Sequence, residues 1–393
     1  MCEVSVEIVF CEGWDPGTRS AVRPLPADTA AERDAGGEQY ALLLTGERPL
    51  ALVEVCWAAN HAAVWRIDEQ GRRDRRLELR RWPDGRLRVR ELRQWAYESS
   101  AEAEFQAGRP AWRTPRWVAA YRPDGERTVS TGGWSGPDLE LAVTSWPVPT
   151  PEGWPAVVAE LLGEPVQASP AEDPAEVADP PLTAPWHPPV PLRPVHVREA
   201  FDEGARFEID GGLVRVEVVD AGPLRLPTGS LVVADPDPWL ADVAPFVETA
   251  PPGEYPVRLS VVRFADDPDH TRVAAAAVVL SDADPVVFDH AWRPGEQELL
   301  LGDGEFFGVG VDGGRVALVD ASAGAAFAEL VEGAYGEMTG WAHELAADGA
   351  NLVSVESGWG DGSYPVWVGR DEQGRLTCFV VDFLLLAHAR PAS

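Results

Sequence analysis

The sequence predicts an α+β fold that is strongly β-rich, with two domains of mainly antiparallel strands joined by a proline-rich linker. Three observations carry this. Apolar or alternating runs recur between Gly, Pro and Asp clusters along most of the 393 residues, the pattern of strands joined by tight turns. Proline crowds the stretch 164–195, where it removes backbone donors and favours extended geometry. Residues 1–163 carry 20 Arg against 25 Asp and Glu, whereas 164–393 carry 13 against 39, so the charge character changes near residue 164.

The first domain, 1–163, reads as a series of hairpins with Trp and Arg on its strands. "YALLLTG", "LALVEVCWAAN", "AAVWRIDEQGRR", "RLELRRWPDGRLRVREL", "RWVAAYRPDGERTVSTGG" and "DLELAVTSW" are its strand-like runs. Pro83-Asp84-Gly85 and Pro123-Asp124-Gly125 turn the chain, because Pro presets φ and Gly supplies positive φ. The stretches 96–108 and 151–163, with acidic starts and a terminal Gly, predict helices. The Arg-rich segment 72–93 reads as a solvated basic face able to accept an acidic partner. Trp65, Trp82, Trp95 and Trp117 are expected to be core, or alternatively a recognition face.

After the linker, the acidic domain 196–393 again predicts strands, among them "LVRVEVVD", "SLVVAD", "YPVRLSVVRF", "RVAAAAVVLS" and "PVVFDHAW". A helical segment is expected at about 320–348, where Phe327, Leu330, Val331 and Ala334 recur at helical spacing. Strands close the chain around 350–356, 364–370 and 375–386. "DEQGR" occurs at 68–72 and at 371–375, which reads as one favourable turn used twice.

The composition excludes several functions. All 33 basic residues are Arg, a usage typical of GC-rich bacterial genomes, and the formal charge is −31. Such a chain repels phosphate, so neither nucleic acid nor an anionic membrane is an expected partner. No apolar run reaches the roughly 20 residues of a membrane-spanning helix, and the N-terminus lacks the pattern of a secretory signal. Cys2, Cys11, Cys56 and Cys378 stand apart without paired His, so no metal site and no cofactor is evident, and a cytoplasmic location is expected.

"SGWGDGSYPVW", residues 357–367, is the densest functional candidate. If Arg370 faces Arg375 across a hairpin, Ser363 faces Asp382, and Asp361 and Asp382 become neighbours. Two close carboxylates divide into acid and base, or hold a hard cation. Gly360 and Gly362 let a ligand approach the backbone, and Tyr364 offers a hydroxyl. The alternative is that Asp361 caps a bend. Asp235, at the end of an apolar strand, and Tyr255, in a second Gly-x-Tyr-Pro-Val stretch, join the candidates, and the two Tyr-Pro-Val strands are expected to be built alike and paired. His290 is an assisting base if the protein is an enzyme, and otherwise structural. Dinucleotide, Walker, EF-hand, G-x-S-x-G and H-E-x-x-H signatures are absent.

The order Asp235-Pro236, Gly253 to Val257, Gly358 to Tyr364 and Asp382-Phe383 resembles an uncharacterised bacterial domain, domain of unknown function family 4241, over about 200–388. The resemblance implies no activity, cofactor or catalytic residue. The expected function is therefore a binding, immunity-type or regulatory protein acting through protein–protein contacts, with a basic protein as partner. The alternative is a hydrolase-like enzyme using Asp361 and Asp382.

Overall fold

A computed structural model describes residues 4–102, 104, 115–132, 136, 138–172, 186–237, 240–347 and 349–392. The chain divides into two compact units, Met1–Pro189 and Val190–Ser393. Both are β-rich with mainly antiparallel pairing, as the hydropathy pattern requires.

Among the described residues of the N-terminal unit, eleven strands share one sheet. Its centre is the meander Tyr40–Thr45, Pro49–Cys56, His61–Ile67, Arg73–Arg81 and Arg86–Gln94. The Pro-Asp-Gly turns do what their chemistry dictates: Trp82 N–H donates to Arg86 O, Arg122 N–H to Glu126 O, and Gly85 and Gly125 take φ of 74° and 92°. One face of the sheet buries Leu42, Leu44, Val53, Leu77 and Leu79 with the helix Pro155–Leu162.

Four sequence expectations change in this unit. Residues 96–108 do not begin a helix: Arg72 Nη1 takes the Ser99 and Glu102 carbonyls, 2.9 Å each, which a helix would have used itself, and most of 103–108 lies outside the described residues. A helix forms instead at Ala27–Gly36, whose acidic first turn and Gly37 at φ 78° were signals in plain view. Val166–Pro170, within the stretch read as linker, pairs parallel with Val4–Asp15, while 173–185 lie outside the described residues. The Arg face is only partly solvated, with Arg86 exposed and Arg88 and Arg93 half-buried. Arg72, Arg73, Arg80 and Arg90 are buried, and Glu78 and Glu91, directly opposed on neighbouring strands, neutralise Arg80 and Arg90. Trp65, Trp95 and Trp117 are buried in the core.

The C-terminal unit is layered. Among its described residues a nine-stranded antiparallel sheet runs Val287–His290, Gly362–Arg370, Leu376–Asp382, Thr271–Val279, Gly253–Phe264, Gly212–Leu226, Arg206–Ile209, Arg390–Pro391, with Gly308–Val311 beside Gly362–Arg370. A four-stranded sheet, Leu231–Ala234, Arg315–Asp320, Ala350–Glu356, Ala342–Ala347, packs on it through Val214, Val261, Val316, Leu318, Val353 and Phe379. The far face of the smaller sheet carries the helix Gly324–Ala334 through Phe327 and Val331. The expected helix to 348 therefore stops early: Ala342–Ala347 folds back on Ala350–Glu356 through Gly349 at φ 83° and becomes the half-exposed edge strand of the smaller sheet.

The two Tyr-Pro-Val strands are not paired; Leu376–Asp382 and Thr271–Val279 lie between them. Cys11, Cys56 and Cys378 are free and buried. Among the described residues no helix is long and apolar enough to cross a membrane.

Candidate functional site

The strand Gly362–Arg370 changes partner along its length. Residues 366–370 pair with Leu376–Asp382, whereas 362–365 pair with Gly308–Val311. The hairpin closes with Arg370 opposite Leu376, and a bulge after Gly369 sets Trp367 opposite Val380. This register lies two residues from the expected one, with Cys378 facing Gly369 rather than Trp367. One residue comes from the Asp371 N–H to Arg375 O bond that closes the turn, the other from the bulge.

Asp382 consequently turns its carboxylate to the opposite face of its strand from Phe383, the residue on which Gly358 of the loop packs. Its Oδ1 accepts from Leu384 N–H at 2.8 Å and its Oδ2 from Trp367 Nε1 at 3.2 Å. Its strand neighbours Cys378 and Val380 face a small core with Trp367 and Ala275, while Tyr364, Val381 and Phe383 belong to the main core on the other face. Burial raises the Asp382 carboxyl to about 6. Asp361 is exposed at the loop, whereas Asp382 is buried and both its oxygens are engaged by Leu384 N–H and Trp367 Nε1.

The loop itself is held by the protein's own groups. Ser357 N–H donates to Gly314 O at 3.0 Å, Gly360 N–H to Ser357 O at 2.8 Å, and Ser357 Oγ to Gly360 O at 2.8 Å. The Tyr364 hydroxyl donates to Gly360 O at 2.8 Å and Ser357 O at 3.2 Å, with its ring edge-on to Phe383. Burial, then the Asp361 charge, push the phenol above its ordinary value, so it stays a donor. Gly358 and Gly360 take φ of 58° and 104°. At Gly362 a Cβ would stand 3.1 Å from the Tyr364 ring and hydroxyl, which explains that glycine.

The loop presents Trp359, 57% exposed, a residue the sequence reading passed over. Its ring stands 6.2 Å from Phe264 and 6.1 Å from His270, which stack on each other at 4.2 Å, and the Arg272 guanidinium lies 5.1 Å from the indole. Exposed Asp266, Asp267 and Asp269 occupy the turn between Phe264 and His270, and Asp361 follows Trp359 by two residues. The signal available in the sequence was a large aromatic residue between two glycines, in a stretch whose glycine content marks a turn rather than a strand.

The remaining candidates are each engaged by the protein's own backbone. Asp235, 1% exposed, accepts backbone N–H from Asp312, Gly313 and Asp237 at 2.7, 2.9 and 2.9 Å, tying a strand end to a neighbouring turn. The Tyr255 hydroxyl donates to Pro251 O. His290, buried between Trp367 and Trp292, shares a 3.0 Å hydrogen bond with Leu192 O through Nε2, and burial lowers its pKa, so it is neutral and Nε2 is the donor. Among the described residues no cluster of His, Cys, Asp and Glu is placed to hold a metal ion.

Residues 224–381 match the family described as Protein of unknown function (DUF4241), and the match does not reach the N-terminal unit. It takes in both Tyr-Pro-Val strands, the acidic turn at 266–269 and the Trp359 loop. No curated protein and no solved structure matches the chain.

Proposed function

We propose that this is a binding protein of the immunity or regulatory type, which recognises a basic protein through the Trp359 surface of its C-terminal unit. The observation that carries the reading is Trp359 itself: a large aromatic, more than half exposed, on a loop whose backbone is fixed by Ser357, Gly314 and Tyr364. Rigid exposed aromatics are the side chains that dominate binding energy at interfaces, because little entropy is lost when they are covered. The rim of Asp266, Asp267, Asp269 and Asp361 supplies the complement for a basic partner. The unit as a whole, with 13 Arg against 34 Asp and Glu in 190–393, would accelerate its approach.

The hydrolase reading draws less support, because Asp382 is buried with both oxygens engaged by Leu384 N–H and Trp367 Nε1 while Asp361 is exposed. Free, buried Cys11, Cys56 and Cys378 suit a reducing bacterial cytoplasm. The test is native co-purification from the source cell at low and high salt, comparing the wild type with Trp359→Ala. A basic protein retained at low salt by the wild type and lost by the variant is expected. Retention of the same proteins by Trp359→Ala, or no salt-sensitive partner at all, overturns the reading.

A further inference from the structure

The smaller sheet of the C-terminal unit ends on an open strand. Ala342–Ala347 pairs on one side with Ala350–Glu356, and among the described residues no strand takes its other side. Glu356 N–H donates to Trp341 O at 3.0 Å, so the bonded pairs of this hairpin are 341 with 356, 343 with 354 and 345 with 352. The N–H and C=O of Ala342, Glu344 and Ala346 therefore point outward, away from the sheet. The other strands that end the sheets of this unit, Val287–His290, Arg390–Pro391 and Leu231–Ala234, have four, two and four residues, against six here. Short edges resist pairing with another chain, and a six-residue edge without proline invites it.

A floor for a further strand lies beside this edge. Val219 and Leu259, opposed on neighbouring strands of the larger sheet and turned to its main core, line a cleft of 320 Å³ with Ala221, Trp341, Ala342 and Glu344. Asp220 belongs to the opposite face, where it stands across from Arg258, and takes no part. Leu345 and Ala347 pack toward the helix-bearing face, so Ala342, Glu344 and Ala346 turn to the larger sheet. Asn351, fully buried, donates to Pro223 O at 2.7 Å and to Glu344 Oε1 at 2.8 Å, so one side chain sets the spacing between the edge and the floor. The Trp341 indole N–H donates to Thr271 Oγ1 at 3.1 Å, which ties the start of the edge to the same sheet.

From this geometry we propose that the edge binds an extended peptide segment carrying a basic residue, which adds to the smaller sheet as a fifth strand. The outward backbone groups supply the pairing, and the cleft receives alternate side chains of the segment, whose apolar members settle on Val219 and Leu259. Charge selects the occupant. Glu344 stands in the middle of the edge, exposed, and makes no ion pair among the described residues. A second copy pairing through all three outward residues would set Glu344 against Glu344, like charges directly opposed, whereas a Lys or Arg in an incoming segment neutralises it. This edge stands independently of the Trp359 surface.

The probe is the peptide acetyl-TVTRTVT-amide, a palindrome that brings its Arg opposite Glu344 in either strand direction with a Val on each side over the floor. It is titrated into the full chain and followed by the backbone amide signals of residues 341–347 in NMR spectra. A dissociation constant on the order of 1 mM or tighter is expected. Amide exchange should slow at Glu344 and Ala346, whose N–H groups point outward, and change little at His343 and Leu345, already bonded to Ser354 and Leu352. Acetyl-TVTETVT-amide should bind at least about fivefold more weakly, and that preference should shrink to about twofold or less in Glu344→Gln, which keeps the acceptor for Asn351. Ala346→Pro removes an N–H that the hairpin does not use and should weaken binding by at least about tenfold. Thermal unfolding establishes that this variant is folded, and Trp359→Ala is expected to bind the peptide like the wild type. Absence of binding, or undiminished binding to Ala346→Pro, overturns the edge as a docking site. Equal affinity for the two peptides overturns the choice of a basic segment, and self-association of the chain that Ala346→Pro abolishes gives the edge to a second copy instead.

Discussion

The Tyr364 hydroxyl donates to the Gly360 carbonyl four residues upstream, and Tyr255, on a strand that Tyr364 does not pair with, makes the same bond to Pro251. In both places the glycine two positions before the tyrosine lies against its ring; a Cβ there would come within 3.1 Å at Gly362 and 3.2 Å at Gly253. Gly-x-Tyr-Pro-Val is therefore a device for fixing the chain that leads into a strand. At Tyr364 the chain so fixed is the loop that displays Trp359.

Removing that hydroxyl tests how much the loop depends on it. Tyr364 is buried, and Gly360 O keeps the Ser357 hydroxyl as a partner, so Tyr364→Phe is expected to cost about 1 kcal/mol, one ordinary net hydrogen bond. The half-exposed Tyr255 should cost less on the same change. The sharper readout is amide exchange: residues 358–361 should exchange faster in Tyr364→Phe, while protection in the Thr271–Val279 strand stays as it was.

Gly358 and Gly360 make a matched pair. A Cβ on Gly358 would meet Leu385 Cδ1 at 2.4 Å and Phe383 Cβ at 3.0 Å, whereas one on Gly360 would meet nothing within 4 Å. Both have positive φ, so both alanine variants are strained by about 1–3 kcal/mol. Gly358→Ala adds overpacking of a further 1–3 kcal/mol or so. Denaturant midpoints should therefore fall more for Gly358→Ala; equal losses would mean that the Leu385 contact yields freely.

In the N-terminal unit, Glu78 stands among Arg76, Arg80 and Arg90 at 3.1, 2.7 and 3.2 Å and is 2% exposed. Burial pushes its carboxyl up, but the three guanidinium groups outweigh burial and hold it well below the usual carboxylate range. A depressed carboxylate contributes stability above its unfolded pKa that is lost as pH falls through the folded one. Glu78→Gln leaves buried cations without their counter-charge, and about 3–5 kcal/mol is expected to go at pH 7, read as a lower urea midpoint. A loss below about 1 kcal/mol would indicate a solvated cluster instead.

How far the sequence could be read depended on the range of the interaction. Turns closed by their own residues were legible. Asp68 and Asp371 each accept N–H from the residues two and four positions on, and each holds the Arg of "DEQGR" through its Nε. Hairpin register was not, because the bulge after Gly369 leaves no mark in composition, and it shifted the pairing that was expected to set Ser363 opposite Asp382. The buried Arg ladder was hidden for a related reason: Glu78 and Glu91 neutralise it across strands, and cross-strand neighbours appear only once register is known. Trp359 was legible only as a large aromatic in a glycine-rich turn; its exposure is set by how the loop is held.

Asp382 carries the clearest pH signature. Burial raises its carboxyl from 3.8 to about 6, so between those values the folded chain holds a proton that the unfolded chain has released. Protons bound in excess by the folded state make stability fall as pH rises, so this group's contribution is full below about pH 4, is lost through pH 6, and stays lost above it. The shift corresponds to about 3 kcal/mol. Asp382→Asn keeps the shape and an acceptor for Leu384 N–H but forfeits the bond from Trp367 Nε1, a net cost of about 1 kcal/mol at low pH. At pH 8 the charge penalty is gone, and the variant should be the more stable chain by about 1–2 kcal/mol, allowing for both terms. Urea unfolding of both proteins at pH 4.5 and pH 8 checks this through the difference between them, which cancels the other carboxylates. A difference that does not move toward the variant as pH rises would show that the Asp382 carboxylate is solvated in the folded state.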